Sequence, residues 1–199
     1  MIPISDFIEE FPIQEYADRA PWDISKLLPD YLVEIIPQLG DDFSINDGVA
    51  FHRSAIIEPG VILKAPIIVL AKSFIGAHAY LRGGVFISES VVIGPGSEIK
   101  SSVIGSHSSI AHFNFIGDSI IGSHVNFEAG AITANYHNDK IEKRVFSIYN
   151  SKVIDTGVEK FGSLVGDYAK IGANAVLSPG TILPKHSIVG RLQLINQHS

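Results

Sequence analysis

A chain of 199 residues with 46% apolar and 18% charged residues has the composition of a globular protein with one sizeable core. Its formal charge of −6 argues against binding to a phosphate backbone, which calls for a basic face, and the absence of cysteine excludes disulfides, a thiolate nucleophile and Cys-ligated zinc. The opening "MIPISDFIEEF" carries acids where a secretory signal has a basic stretch and an apolar core, and no uncharged apolar run reaches the ~18 residues that span a membrane. The expectation is a cytoplasmic protein with no nucleic-acid partner.

In residues 1–42, Ile24, Leu27, Leu28, Tyr31, Leu32, Ile35, Ile36 and Leu39 recur at helical spacing, with Asp23 placed to cap the first turn. Pro29 and Pro37 are expected to break this stretch into short helices. It reads as an N-terminal helical cap over one end of the remaining chain, a substrate-binding helical domain being the alternative.

From residue 43 onward the period changes. Ile45, Phe51, Ile57, Leu63, Val69, Ile75, Leu81, Ile87, Ile93 and Ile99 stand six apart. At this composition ten independent positions would all be apolar roughly 4 times in 10,000, so the repeat is not chance. The register slips by one to Ile104, Ile110 and Ile116, slips again to Ile121, and resumes at Val165, Ile171, Leu177, Leu183 and Val189. Two residues before these positions the side chain is mostly small, as at Ala55, Ser73, Ala79 and Ser97, and residues two apart on a strand share a face. One large and one small inward residue per six describes short strands joined by corners. The class is therefore all-β, a parallel β-helix of hexapeptide repeats over 43–199, in which three hexads close a coil and residues 18 apart stack. Periodicity does not give the hand of the coil; the known hexapeptide solenoids are left-handed.

The repeat stops between Asn135 and Phe161, leaving a loop insertion at 137–160. Lys140, Lys143, Arg144, Lys152 and Lys160 make this stretch cationic in an acidic chain. Either the loop is simply solvated or an anionic ligand lies near it.

Inside the repeat, "IAHFNFIGDSIIG" at 110–122 holds a histidine in an otherwise apolar run. Alone, His112 reads more readily as structural than as a base. The wider stretch "KSSVIGSHSSIAHFNFIGDSIIGSHVNFEAGAITANY" resembles the acetyltransferase domain of the bifunctional enzyme that makes UDP-N-acetylglucosamine, and "KVIDTGVEKFGSLVGDYAKIGANAVLSPGT" resembles its archaeal-type versions. The likeness covers roughly residues 75–190, and the Gly-rich nucleotide-binding loop of the family's nucleotidyltransferase half is not found. The resemblance implies a left-handed β-helix, acetyl-CoA as co-substrate, an amino-sugar phosphate such as glucosamine 1-phosphate as acceptor, no metal, and an active site between the subunits of a homotrimer.

Matched position by position, the resemblance implies that Arg82 and Lys100 bind the sugar phosphate, that His112 is the catalytic base and that Asn126 binds the sugar. It implies further that the backbone N–H of Ala129 lies near the thioester, and that Asn135 and Tyr136 stand where sugar and coenzyme meet. A histidine titrating near neutrality suits the removal of a proton from an attacking amine. Three departures stand out. Phe115 replaces a tyrosine that bonds the phosphate. The lysine expected after the Asn-Tyr pair is best matched by Lys140, with Lys143 second. Asp167 replaces a serine on the coenzyme side. Asp118 reads as a corner residue or as an orienting partner of His112, and Asn126 as a corner asparagine or a sugar ligand.

Two other functions fit less well. The pair His107 and His112 resembles part of the metal site of hexapeptide carbonic anhydrases, but His78 is out of register and Ala71 stands where a third ligand belongs. A non-catalytic role, as scaffold or partner of a separate nucleotidyltransferase, is the main alternative.

Overall fold

A computed structural model describes residues 2–197. From Val49 the chain winds as a three-sided parallel coil. Its first face runs from Val49–His52 through Ile67–Val69 and the later halves of Tyr80–Ile87 and Glu98–Ile104 to Ile120–Ile121, Ser163–Val165 and Thr181–Leu183. The second runs from Ile56–Ile57 to Ile188–Val189, and the third from Ile62–Leu63 to Leu194–Ile195. Ile67 lies opposite Val85, Ile99 opposite Ile116 and Phe127 opposite Ile171, which are steps of 18, 17 and 44 residues. The expected hexapeptide solenoid is present, and the 44-residue step is one coil that carries the insertion.

The slips in the repeat have a physical cause. Tyr80–Ile87 holds one residue more than Glu98–Ile104 between the pairs Arg82–Lys100 and Val85–Ser102, and the extra residue forms a bulge at Gly83 and Gly84, both at positive φ. Later coils turn this corner one residue sooner. Inside the coil, Ile75, Leu81, Ile87, Ile93, Ile99, Ile104, Ile110, Ile116 and Ile121 are fully buried. The small inward residues include serines whose hydroxyls bond to the next coil. Ser108 Oγ donates to the Gly122 carbonyl at 2.8 Å and accepts the Val125 N–H at 2.9 Å, so its buried hydroxyl is satisfied.

The first face also buries its outward side. Ala50, Ile68, Phe86, Val103, Ile120, Leu164 and Ile182 form an apolar row no more than 6% exposed. Helix α1 (Pro21–Ile35) lies over this row, with Ile24, Leu28 and Leu32 fully buried against it. The N-terminal segment therefore covers the flank of the coil, not an end as expected, because the flank is where unpaired apolar surface lies. At the first coil it is Phe43–Asn46, paired antiparallel with Val49–His52, that covers a strand edge.

Helix α1 also corrects two local expectations. It starts at Pro21, whose missing N–H costs nothing in the first turn, so Asp23 sits inside that turn instead of capping it. Pro29 does not break it. The pyrrolidine ring seats against Gly84, where a Cβ would stand 2.8 Å from Pro29 Cγ. The insertion, expected as a loop, contains a hairpin of Phe146–Tyr149 and Lys152–Asp155, turned by Asn150 and Ser151 at φ 49° and 60°. It packs with the N-terminal segment through Trp22–Phe161 and Phe7–Tyr149 ring contacts at 5.7 and 5.9 Å. Among the described residues no helix is long and apolar enough to cross a membrane.

Toward the C-terminus, Glu128 accepts two bonds from Arg191 at 2.8 Å and the Ala173 N–H at 2.8 Å. These bonds, Arg191's first, hold the Glu128 pKa down at about 2 from an ordinary 4.5.

Two outcomes are expected for stability. Gly84→Ala places a Cβ at φ +85° and against Pro29, and should cost at least about 1–2 kcal/mol in denaturant unfolding. Gly40→Ala, with nothing within 4 Å, should stay within about 0.5 kcal/mol of wild type. Because the folded Glu128 pKa lies below the unfolded one, its contribution is complete above pH 4.5 and lost as pH falls through about 2. The Tm gap between wild type and Glu128→Gln, measured calorimetrically, should accordingly be widest near neutrality and close by pH 2.

Candidate functional site

Most of the residues singled out in the sequence fall on or beside two ridges of the coil, at opposite edges of the third face. His112 lies on the ridge between the second and third faces, just before Phe113, which turns the corner at φ 53°. Its ring is exposed and has no hydrogen-bond partner among the described residues. Ala129 stands one coil further along the same ridge, where the Gly130 N–H donates to the His112 carbonyl at 2.8 Å.

Among the described residues, some N–H groups at this ridge position are bonded and others, those of His112 and Ala129 included, are not. The equivalent N–H groups of Ala77 and Ala173 donate to the carboxylates of Glu58 and Glu128 on the preceding coil, at 2.7 and 2.8 Å. Before Ala129 the equivalent residue is Ala111, which has no carboxylate, and among the described residues the Ala129 N–H bonds to nothing. A free backbone donor thus sits beside an exposed imidazole.

Asn126 is exposed on the second face, opposite Lys170 in register. With Glu128, Lys170, Ile188 and Arg191 it lines a groove of about 310 Å³ that adjoins the His112 ridge. The groove's two cations went unnoticed in the sequence because the insertion separates Lys170 from Asn126 by 44 residues instead of 18.

The second ridge, between the third and first faces, gathers Arg82, Lys100, Asp118 and Asn135. Arg82 and Lys100 are register partners on adjacent coils, so their spacing does place both cations on one edge. Each is already paired. Arg82 bonds Glu98 through Nε and Nη2 at 2.7 and 2.6 Å, and Lys100 Nζ meets Asp118 Oδ2 at 2.6 Å in a largely buried pair. Asn135 Nδ2 donates to the same Asp118 oxygen. Asp118 therefore turns its corner, at φ 45°, and serves the Lys100–Asn135 cluster, not His112.

The Phe115 ring lies over Gly117 beside Asn135: a Cβ on Gly117 would meet the ring at 2.7 Å and the Asn135 amide at 2.9 Å. Tyr136 is 38% exposed and carries Lys143 over its ring at 5.2 Å, while Lys143 Nζ donates to the carbonyls of His137 and Asn138 at 2.9 and 3.0 Å. Lys143 thus fastens the stretch after the Asn-Tyr pair, and Lys140 lies half-buried nearby in sequence.

Two expectations need correction. Asp167, expected on the coenzyme side, is 2% exposed and accepts the N–H groups of Ser123 and Glu9 at 2.7 and 2.8 Å. Its carboxylate pins the N-terminal segment to the coil and offers nothing to a ligand. His107 lies on the remaining ridge, between the first and second faces, stacked on His124 at 4.9 Å, so it does not pair with His112 as in the carbonic anhydrase reading. Among the described residues no three potential ligands come close enough to hold a metal.

Within one chain His112 and Lys100 do not meet. The strand between their corners, from Asn114 to Asp118, is about 13 Å long at 3.3 Å per residue.

Comparison with known proteins agrees with the resemblance read in the sequence. The bifunctional protein GlmU of Methanococcus vannielii is 36% identical over 183 residues, 89% of this chain and 43% of that protein. The bifunctional sugar-1-phosphate nucleotidylyltransferase/acetyltransferase of Sulfurisphaera tokodaii is 34% identical over 80% of this chain and 41% of its own length. This chain thus spans less than half of these curated relatives. Among solved structures, a hexapeptide transferase family protein from Anaplasma phagocytophilum matches with a TM-score of 0.48 at 20% identity, covering 74% of each chain. A family profile described as the GMPPB C-terminal domain matches residues 45–198, the whole of the coil, and this chain belongs to that family.

Proposed function

We propose that this protein is a cytoplasmic, acetyl-CoA-dependent N-acetyltransferase acting on an amino-sugar phosphate of the glucosamine 1-phosphate kind. The observation that carries the reading is the unbonded Ala129 N–H one coil from the exposed His112 on the same ridge. Acetyl transfer needs a base for the amine and a donor for the oxyanion, roles that His112 and the Ala129 N–H would fill.

In this scheme the 2-amino group attacks the thioester carbonyl while His112 accepts its proton. The carbonyl oxygen gathers negative charge against the Ala129 N–H. Collapse of the tetrahedral intermediate breaks the C–S bond, and the His112 proton passes to the departing thiolate, giving coenzyme A and the amide. No covalent enzyme intermediate is needed. The groove beside the ridge suits the coenzyme, with Lys170 toward its phosphates and Asn126 toward the sugar.

The Arg82, Lys100, Asn135 and Tyr136 ridge would complete the site from a neighbouring subunit. A second copy that packs its third-to-first ridge against this chain's His112 ridge would close the gap, and repeating that contact around a threefold axis gives a homotrimer. A second reading, scaffold of a separate nucleotidyltransferase, draws on the ion pairs: Arg82–Glu98 and Lys100–Asp118 leave the ridge electrically neutral, and Phe115 offers no hydroxyl.

Coenzyme A release from acetyl-CoA, followed with a thiol reagent and glucosamine 1-phosphate or related acceptors, separates the two. Turnover should be detectable and His112→Ala should lower kcat by about 10²–10⁴. Absence of turnover from the folded protein with every amino-sugar phosphate would favour the scaffold.

A further inference from the structure

Behind the Lys100–Asp118 pair lies a cleft of about 370 Å³ that the coil alone does not make. Ser25 and Lys26 of α1 form one wall, Gly157 to Lys160 of the insertion's return stretch form the other, and Asp118 is at its floor. The two walls belong to the two segments that break the hexapeptide repeat, and both are fixed in place by packing. Ser25 is 3% exposed and donates to the Trp22 carbonyl at 3.1 Å. Trp22 in turn packs edge-on against Phe161, the residue after Lys160, at 5.7 Å.

The charges in this cleft do not balance locally. Arg82 and Lys100 are committed to Glu98 and Asp118, and the Asp118 carboxylate is further engaged by Asn135. Lys26 and Lys160 form no ion pair among the described residues, and Glu159 is the only other acid lining the cleft. Lys100 and Asp118 neutralise each other, which leaves the ammonium groups of Lys26 and Lys160 against the single carboxylate of Glu159. An anion placed beside Asp118 would be repelled unless further cations meet it, and Lys26 and Lys160 are the cations available.

We propose that this cleft is an anion site in which Lys26 and Lys160 hold the phosphoryl group attached to the acceptor sugar, whether a monoester or the diphosphate of a nucleotide sugar. The inference rests on the acetyltransferase reading for the identity of the acceptor but not for the binding of the anion. It also gives the N-terminal helix and the insertion a common purpose. Each contributes one wall and one cation to a place where the coil's own cations are already neutralised. Lysine ammonium groups on flexible stems can follow either phosphate geometry, whereas a guanidinium fork would select one.

The test is titration of the full-length protein with inorganic phosphate and with pyrophosphate, by calorimetry, for wild type, Lys26→Gln, Lys160→Gln and the double variant. Lys152→Gln, on the exposed hairpin, serves as the charge control. The double variant should bind pyrophosphate roughly tenfold or more weakly than wild type, with acetyl-CoA affinity unchanged and Lys152→Gln like wild type. In turnover, its KM for glucosamine 1-phosphate or a nucleotide-linked amino sugar should rise by a similar factor at nearly constant kcat, and the acceptor whose KM moves more identifies the phosphoryl source. No anion binding by the wild type, equal binding by the double variant, or an equal loss in Lys152→Gln would overturn the proposal. If only the acetyltransferase reading is wrong, no protein turns over and the binding difference remains.

Discussion

One coil takes 17 or 18 residues, and that number decides which side chains become neighbours. Parallel backbone bonds lock each coil to the next, so residues far apart in the chain are held in line along a face or a ridge. Arg82 and Lys100 stand together for this reason, as do Asn126 and Lys170 across the insertion. The same constraint keeps the ridges apart, because a strand between two corners has a fixed length. Within one chain His112 and Lys100 stand at opposite ends of a strand about 13 Å long. The proposed site would bring them together through a second chain, which would couple assembly to chemistry in this fold.

The first face shows how the coil is altered when one flank is covered. Its outward row is as apolar as its inward row, and α1 and the insertion pack over it. Close approach depends on the bulge at Gly83–Gly84, which accommodates Pro29 and also re-registers the coil at the ridge that carries Arg82 and Lys100. One irregularity therefore both seats the helix and sets the polar ridge. Asp167 acts comparably further along, anchoring the backbone at Glu9 and Ser123 from a buried position.

The fold was legible in the sequence because inward residues recur at a period no helix or hairpin shares. Ile75, Leu81 and Ile87 announce it without reference to any partner. The position of α1 was not legible, since Ile68, Phe86 and Val103 are outward residues that a period-two strand normally leaves polar. Read one at a time, they look like additional core. Spacing did place Arg82 and Lys100 on one ridge, as register partners on adjacent coils. What spacing could not convey was their pairing: Glu98 and Asp118 neutralise Arg82 and Lys100 through contacts across coils, and nothing local marks Asp118 as more than a corner. The resemblance named the Ala129 N–H, but that it has no acceptor was not legible, because this depends on a carboxylate being absent from position 111.

Complementation between inactive variants tests most directly whether the two ridges act from different chains. Mixing His112→Ala with Lys100→Ala, each inactive alone, by co-expression or by unfolding and refolding together, places intact partners across some interfaces. If each site takes one ridge from each of two neighbours, equal mixing should restore about one quarter of wild-type specific activity, since one in four random neighbour pairs is intact at both positions. Mixed oligomers that are demonstrably formed yet stay inactive would contradict the shared site.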